Sequence, residues 1–403
     1  MKYAIIIPDG CSDFPMDQLS GRTPLEAANI PHMDAVAARG IVAQTDNTPA
    51  HLPAGSEVAN MVLFGYDPNQ YFTGRAPIEA AAQGIELGPD DWAIRCNLVT
   101  IVDQIMVDFT ADHISTEEAK ELLAALSDTV GDMPLEYVPG VSYRNLLLYR
   151  GSEGSPPPFS SDTRTRAPHD LTDLPVVDDY PRGPGSDMLT SLMQSSESVF
   201  AAHDVNRKRD ESGKKRATNV WLWGQGRSPK LPSFHERFGL SGAMITAVDL
   251  LRGLAALIGW DRIEVEGATG YLDTNYAGKG QAAIEALDKY DIVCVHVEAT
   301  DEASHEGRVD EKIKALEAID THVVGPVAEK LATFDEHRLL VLPDHPTPCS
   351  TKKHAHGLVP LAACGKGIPS SGASYSEPVA EKSSVKFASG WEMMETFVKG
   401  NFS

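Results

Sequence analysis

The chain has 403 residues, 42% of them hydrophobic and 23% charged, with a formal net charge of −22. That length fits two domains with a substantial core each, and the charge argues against nucleic acid or a membrane surface as partner, while leaving room for a small anion held in a local basic pocket. Five scattered cysteines without C-x-x-C spacing, a short N-terminal apolar run and no apolar stretch of about 18 residues predict a soluble, cytoplasmic protein with reduced thiols.

The first predicted element is "YAIII" (3–7), a short non-alternating apolar run of the kind that forms a strand covered on both faces. It stops at "PDG" with Asp9. Next, "TPAHLPAGSEVANMVLFGYDP" (48–68) brings Pro and Gly up to Ser56, after which a helix is predicted. A serine there is an ordinary N-cap. It can equally be a nucleophile, because the free N–H groups and dipole of a helix start favour an anion.

The middle of the chain changes character. "TIVDQIMVDFTADHI" alternates in part, "STEEAKELLAAL" opens with a capping box from Ser115 to Glu118, and "EYVPGVSYRNLLLYRG" resembles strands. Residues 151–185 are rich in Pro, Ser, Gly and Asp and are predicted as loop. "RKRDESGKKR" (207–216) holds six basic residues in ten, either a solvated loop or an anion clamp. This composition shift predicts an α+β domain, about 93–235, inserted into an α/β domain built from about 1–92 and 236–403.

After the insert, "SGAMITAVDLLRGLAALIGW" (241–260) follows helical spacing and "IEVEG" reads as a strand. "DIVCVHV" (291–297) is a second buried strand, leading into "EATDEASHEG" with Asp301 and His305 four apart. Ile313, Leu316, Ile319, Val323, Val327 and Leu331 then keep helical spacing. The third strand, "LLVL" (339–342), ends at Asp344 and His345 between prolines, and "TKKHAHG" adds His354 and His356.

Ligands of open α/β sheets bind beyond the carboxyl ends of the strands. All three strands carry carboxylate or imidazole there. Each such residue has an ordinary role as cap, turn or packed side chain; their joint occurrence at three strand ends predicts a metal site. Carboxylate and imidazole without thiolate suit Mn²⁺ or Zn²⁺, and Mg²⁺ less well.

"PDG", "PAGSEVANMVLFGYDP", "YFTGRAPIEAAAQGIEL", "EATDEASHEG" and "LPDHPTPCSTKKHAHGLVP" occur in that order, and over nearly the whole chain the sequence resembles the archaeal-type cofactor-independent phosphoglycerate mutases of the alkaline phosphatase superfamily. "WLWGQGRSPKLPSF", "GATGYLDTNYAGK" and "APHDLT" resemble a bacterial branch also proposed to be homoserine kinase-like. The resemblance implies an alkaline-phosphatase-like doubly wound core with an inserted substrate-binding domain. It implies two metal ions, one held by Asp9, Ser56, Asp344 and His345, the other by Asp301, His305 and His354, with Ser56 as the phosphorylated nucleophile. The motif departs from its relatives at Glu57 and after His354, where His356 stands as a second ligand candidate. The expected substrate is a small phosphorylated molecule, interconverted between 3- and 2-phosphoglycerate; transfer to homoserine or to water are the rival outcomes. Its phosphate and carboxylate need cationic clamps, for which the candidates are Arg75, Arg95 with Asn97, Arg144, His169 with Asp170, Arg207 and Arg227. No Walker or dinucleotide fingerprint is present.

Overall fold

The computed structural model describes residues 1–152 and 154–402. Its strands, in chain order, are β1 (Lys2–Pro8), β2 (Ile41–Asp46), β3 (Trp92–Val102), β4 (Ile105–Asp108), β5 (Leu135–Val141), β6 (Arg144–Tyr149), β7 (Asn219–Gly226), β8 (Gly242–Ile245), β9 (Asp261–Ile263), β10 (Ile292–Val297), β11 (His337–Val341), β12 (Leu358–Gly365) and β13 (Lys386–Phe387). The chain divides into two compact units, Met1–Phe72 with the chain from Lys230 onward, and Thr73–Pro229. The cuts differ from the expected 92/93 and 235/236. The first moves because the Ala76–Ala82 helix packs on β3, joining Ala76 and Ala80 to a small core with Ala93, Leu146 and Leu148.

The first unit holds an eight-stranded sheet in the order β13-β2-β12-β11-β1-β10-β8-β9. β11, β1, β10, β8 and β9 are parallel neighbours, and β12 runs antiparallel to β11 and β2. The apolar runs of β1, β10 and β11 lie at the centre. Ala4, Ile6, Val293, Val295, Leu339 and Val341 share a core with Leu316, Ile319, Val323, Val327 and Leu331 of the helical stretch after residue 309. Ile5, Ile7, Cys294 and Leu340 alternate with them and are also fully buried, so both faces are covered. The stretch 241–260, expected as one helix, opens with β8 instead, and its helix runs only from Asp249 to Leu257. A four-residue apolar run buried on both faces has no period of its own, so the helix beside it absorbed it in the sequence reading.

The second unit is a smaller antiparallel sheet, β4-β3-β6-β5, with β7 also paired to β3. The Thr116–Ser127 helix, with the expected capping box at Ser115 and Glu118, and the Ser186–Ala201 helix contribute to its main core. All five cysteines are buried and free. Among the described residues no helix is long and apolar enough to cross a membrane.

Candidate functional site

In the first sheet β11, β1 and β10 lie side by side and run the same way. Their carboxyl ends therefore open at one edge, and the residues that follow them converge there without any long-range coincidence. Asp9 follows β1, Asp301 and His305 lie on the Ala299–Glu306 helix after β10, and Asp344 and His345 follow β11. Gly10 makes the convergence tight. It has φ +58°, and a Cβ there would sit 2.2 Å from Asp301 Oδ1 and 2.6 Å from Thr347 Oγ1, so only glycine fits.

One cluster consists of Asp301, His305 and His354. Asp301 Oδ2 is 3.0 Å from His305 Nε2 and 3.4 Å from His354 Nε2, and the two imidazole nitrogens are 3.0 Å apart. His305 Nδ1 faces the Lys352 carbonyl at 2.9 Å, which directs its other nitrogen to the cluster. Burial lowers the His305 pKa, but its hydrogen bond and attraction to Asp301 outweigh this and push it up to about 9. His356 does not join: its Nδ1 lies 2.8 Å from the Thr48 carbonyl.

The second cluster is deeper, with Asp9, Asp344 and His345 fully buried. His345 Nε2 lies 3.1 Å from Ser56 Oγ, 3.4 Å from Asp344 Oδ2 and 3.5 Å from Asp9 Oδ1, while its Nδ1 faces Thr347 Oγ1 at 3.1 Å. Ser56 is the first residue of the Ser56–Leu63 helix and Gly55 is the cap, so the plain N-cap role falls to glycine and the serine hydroxyl faces the cluster. Asn60, one turn on, donates to Asp344 Oδ2 at 2.8 Å and to the Ser56 carbonyl at 3.0 Å, tying that helix to the strand end.

The donor set fits divalent cations. Asp9 Oδ1 and Asp301 Oδ1 are buried without a hydrogen-bond partner among the described residues, a costly state for a carboxylate unless a cation completes it. Burial, then repulsion from Asp344, Glu298 and Asp301, holds the Asp9 carboxyl well above the usual range, and a bound cation reverses that.

Three neighbours escaped the sequence reading. His296, inside the β10 run, lies with Nε2 2.6 Å from Asp9 Oδ2 and 3.5 Å from Glu298 Oε2. Asp9, His296 and Glu298 thus form a further group with metal-ligand spacing. The signal was present in "HVE": residues two apart at a strand end share a side. Thr300 donates its hydroxyl to the Asp9 carbonyl and holds the first strand end in place.

The second unit gathers some of the predicted substrate residues by itself. Arg95 lies over the Trp223 ring at 4.3 Å, and Trp223 Nε1 donates to Asn97 Oδ1 at 3.1 Å. The His169 ring is 5.4 Å from that of Trp223. Arg144 stands opposite Asn97 in the β3–β6 register, on the same face. Glu79, not singled out before, takes Arg95 Nε at 2.8 Å and Arg75 Nε at 3.0 Å. Asp170 is exposed beside His169.

Arg207 and Arg227 stand apart. Arg207 pairs with Asp204 and Glu211, and Arg227 with Asp90. Three more residues of the basic run are engaged within their own unit: Arg209 is buried against Glu118, Lys215 pairs with Asp108 and Arg216 with Asp210.

A family profile described as 2,3-bisphosphoglycerate-independent phosphoglycerate mutase matches residues 37–206. A protein of that name from Methanosarcina barkeri is 46% identical over 402 residues, covering 99% of this chain and 100% of its own. A probable one from Geobacter sulfurreducens is 44% identical, covering 98% and 99%. Among solved structures, a Pyrococcus horikoshii protein matches with a TM-score of 0.81 at 28% identity, over 100% of this chain and 98% of that one. The cofactor-independent phosphoglycerate mutase from Thermoplasma acidophilum matches with 0.66 at 25% identity, over 99% of each.

Proposed function

The chain belongs to the 2,3-bisphosphoglycerate-independent phosphoglycerate mutase family, and we propose that it interconverts 3-phosphoglycerate and 2-phosphoglycerate through a phosphoserine at Ser56. The observation that carries this reading is the position of the Ser56 hydroxyl, at a helix start and 3.1 Å from a buried imidazole among carboxylates. In the proposal Asp9, Ser56, Asp344 and His345 hold one divalent ion and Asp301, His305 and His354 the other. Mn²⁺ is the ion favoured by their mixed oxygen and imidazole character. Ions bound there supply Lewis-acid polarisation and lower the serine's pKa.

Ser56 Oγ then forms a bond to phosphorus as the P–O bond to the glycerate breaks, and the serine proton ends on the glycerate oxygen that leaves. The helix N–H groups around Ser56 favour the phosphoryl group's negative charge. Asn60 keeps the serine and Asp344 in register throughout. The glycerate reorients, and the reverse transfer delivers the phosphoryl group to the neighbouring hydroxyl. Arg75, Arg95 and Arg144 are the groups we assign to the substrate's phosphate and carboxylate.

The test is to strip the protein with a chelator, reload it with Mn²⁺, supply 3-phosphoglycerate and follow 2-phosphoglycerate by phosphorus NMR beside the Ser56→Ala variant. Metal-dependent conversion lost in the variant supports the reading. Release of inorganic phosphate alone makes the protein a phosphomonoesterase. No reaction until homoserine is offered as acceptor moves the assignment to the kinase-like branch.

A further inference from the structure

Asp9 uses its two oxygens differently. Oδ1 lies on the side of the nucleophile, 3.5 Å from His345 Nε2, and has no hydrogen-bond partner among the described residues. Oδ2 is taken by His296 Nε2 at 2.6 Å. The order of the sheet makes that contact. β8, β10 and β1 are parallel neighbours; His296 stands beside Ile7, and Thr246 follows Ile245, the partner of Val295. Paired residues of neighbouring strands share a face, and Asp9 is two residues beyond Ile7, so Thr246, His296 and Asp9 line up across three strands. All three are buried, His296 and Asp9 completely.

The spacing of this group admits two uses of His296, and hydrogen-bond accounting separates them. As a ligand to a further ion shared with Asp9 and Glu298, the ring would need a bare Nε2 and its proton on Nδ1. Thr246 opposes that. Its Oγ1 accepts the Val248 amide at 3.1 Å, and among the described residues its own proton has one acceptor in reach, His296 Nδ1 at 3.1 Å. A buried hydroxyl left without an acceptor is costly, so Nδ1 accepts and Nε2 carries the hydrogen. Two oxygens face that hydrogen: Asp9 Oδ2 at 2.6 Å, and Glu298 Oε2 at 3.5 Å, the second too far for a good hydrogen bond. The bond goes to Asp9. Lys279, itself fully buried, donates to the His296 carbonyl at 3.1 Å and holds that residue's backbone in place.

We infer that His296 is a positioning residue, a neutral imidazole that Thr246 fixes with its proton on Nε2, donating to Asp9 Oδ2 so that Asp9 offers Oδ1 alone to the metal centre beside Ser56. It is not a ligand to a third ion. This deepens the reading above and rests on its Asp9 metal cluster, not on the identity of the substrate. A carboxylate free at both oxygens can turn or chelate through either; one held at Oδ2 presents a single atom in a single direction.

The experiment has two arms on the full chain, neither of which needs substrate. In the first, protein with ¹⁵N-labelled histidine, loaded with diamagnetic Zn²⁺, is read by long-range proton–nitrogen NMR, the His296 signals being assigned by their absence from His296→Gln. A protonated Nε2 and a bare Nδ1 are expected; a proton on Nδ1 overturns the inference. In the second, Mn²⁺ content after dialysis and calorimetric affinity are compared among wild type, His296→Leu and His296→Gln. Wild type is expected to hold two ions per chain. His296→Leu removes the donor and is expected to weaken one of them by about 10- to 100-fold. His296→Gln places an amide N–H where Nε2–H stood and is expected to recover most of that loss. A third ion in wild type that His296→Leu abolishes overturns the inference. So does unchanged affinity in His296→Leu, or a loss that His296→Gln does not recover, since the ring would then only fill space. Wild type that binds no ion refutes the metal-centre reading as well; wild type that binds two ions without converting 3-phosphoglycerate in the mutase assay refutes the mutase reading alone. Should His296→Leu fail to fold by circular dichroism, Thr246→Val takes its place. It removes the hydroxyl that fixes Nδ1, so the His296 signals are expected to divide between both tautomers, and an undivided Nε2–H signal overturns the inference.

Discussion

The clusters in the two units are built in different ways. In the first unit the candidate ligands lie at or beyond the carboxyl ends of β1, β10 and β11, or at the start of a helix, and the parallel order of three neighbouring strands brings those ends to one edge. In the second, Arg75 and Glu79 come from the N-cap and body of one helix, Arg95, Asn97 and Arg144 from two strands, and His169 from a single 3₁₀ turn. They meet only because the antiparallel register and the seating of that helix put them on one face. A strand-end site is fixed by topology; a sheet-face site is fixed by packing.

The largest expected effect tests the strand-end site at its nucleophile. Ser56→Ala is expected to reduce mutase turnover by about 10³-fold or more, as loss of a nucleophile does in other enzymes, with metal content unaltered by more than one ion per chain. Phosphorus NMR under saturating substrate measures it. Activity above a tenth of wild type removes Ser56 from the chemistry and breaks the comparison on its first side.

Next in size is the support beneath that edge. Lys312 and Asp13 are fully buried partners at 3.0 Å. Lys312 also donates to the Thr347 carbonyl, and Asp13 accepts from the Cys349 amide, each at 3.0 Å. Together they fasten the segment that follows His345. Lys312→Met leaves the Asp13 charge buried without its cation, and a loss of about 3–5 kcal/mol in the metal-free protein is expected, measured by urea unfolding. A loss below about 1 kcal/mol means the strand ends hold themselves.

A smaller effect separates the two histidines after β11. His354→Ala is expected to remove one ion per chain or weaken its binding by about 100-fold, and His356→Ala to leave metal content unchanged, by atomic emission after dialysis. His305 adds a pH signature. Its pKa in the metal-free protein is raised to about 9, so it is protonated at pH 7 and a metal must displace that proton. Affinity at this cluster should therefore strengthen as pH rises toward 9, with proton release visible as buffer-dependent binding heats. The same shift contributes stability to the metal-free protein that is fully present below about 6.5, the ordinary value for histidine, and lost as pH rises through about 9.

The difference in construction also explains what could be read from the chain. Asp9, Asp301, His305, Asp344 and His345 were legible as candidates because each comes soon after a short non-alternating apolar run that reads as a buried strand. The choice between His354 and His356 was not, since both lie on an irregular segment where spacing carries no direction; backbone geometry separates them, one facing Asp301 and the other the Thr48 carbonyl. β8 was lost inside a helical pattern. The expected boundary at residue 92 lies beyond the division at 72/73 because nothing in "APIEAAA" says which core its alanines join. Glu79 was invisible for the same reason: a glutamate on a short helix acquires a role only once the helix is seated against β3.

The last prediction takes the sheet-face site at the point where sequence is most misleading. The run 207–216 is the densest positive charge in an acidic chain, and Arg207 lies in it. Yet Arg207 is spent on an (i, i+3) and an (i, i+4) pair along one exposed helix, with Asp204 and Glu211, contacts that solvent screens and that contribute little. Arg95 is single in its segment, but 6% exposed, stacked and ion-paired. Arg207→Ala is expected to leave KM within about twofold and stability nearly unchanged, whereas Arg95→Ala raises KM by about tenfold or more, as loss of a desolvated charge partner does. Measured side by side in the mutase assay, equal effects would mean that the substrate responds to overall positive potential. Unequal effects in the expected direction would mean that it responds to a guanidinium held in one place by burial and stacking, because the field of an exposed arginine on a solvated helix is screened by water and salt.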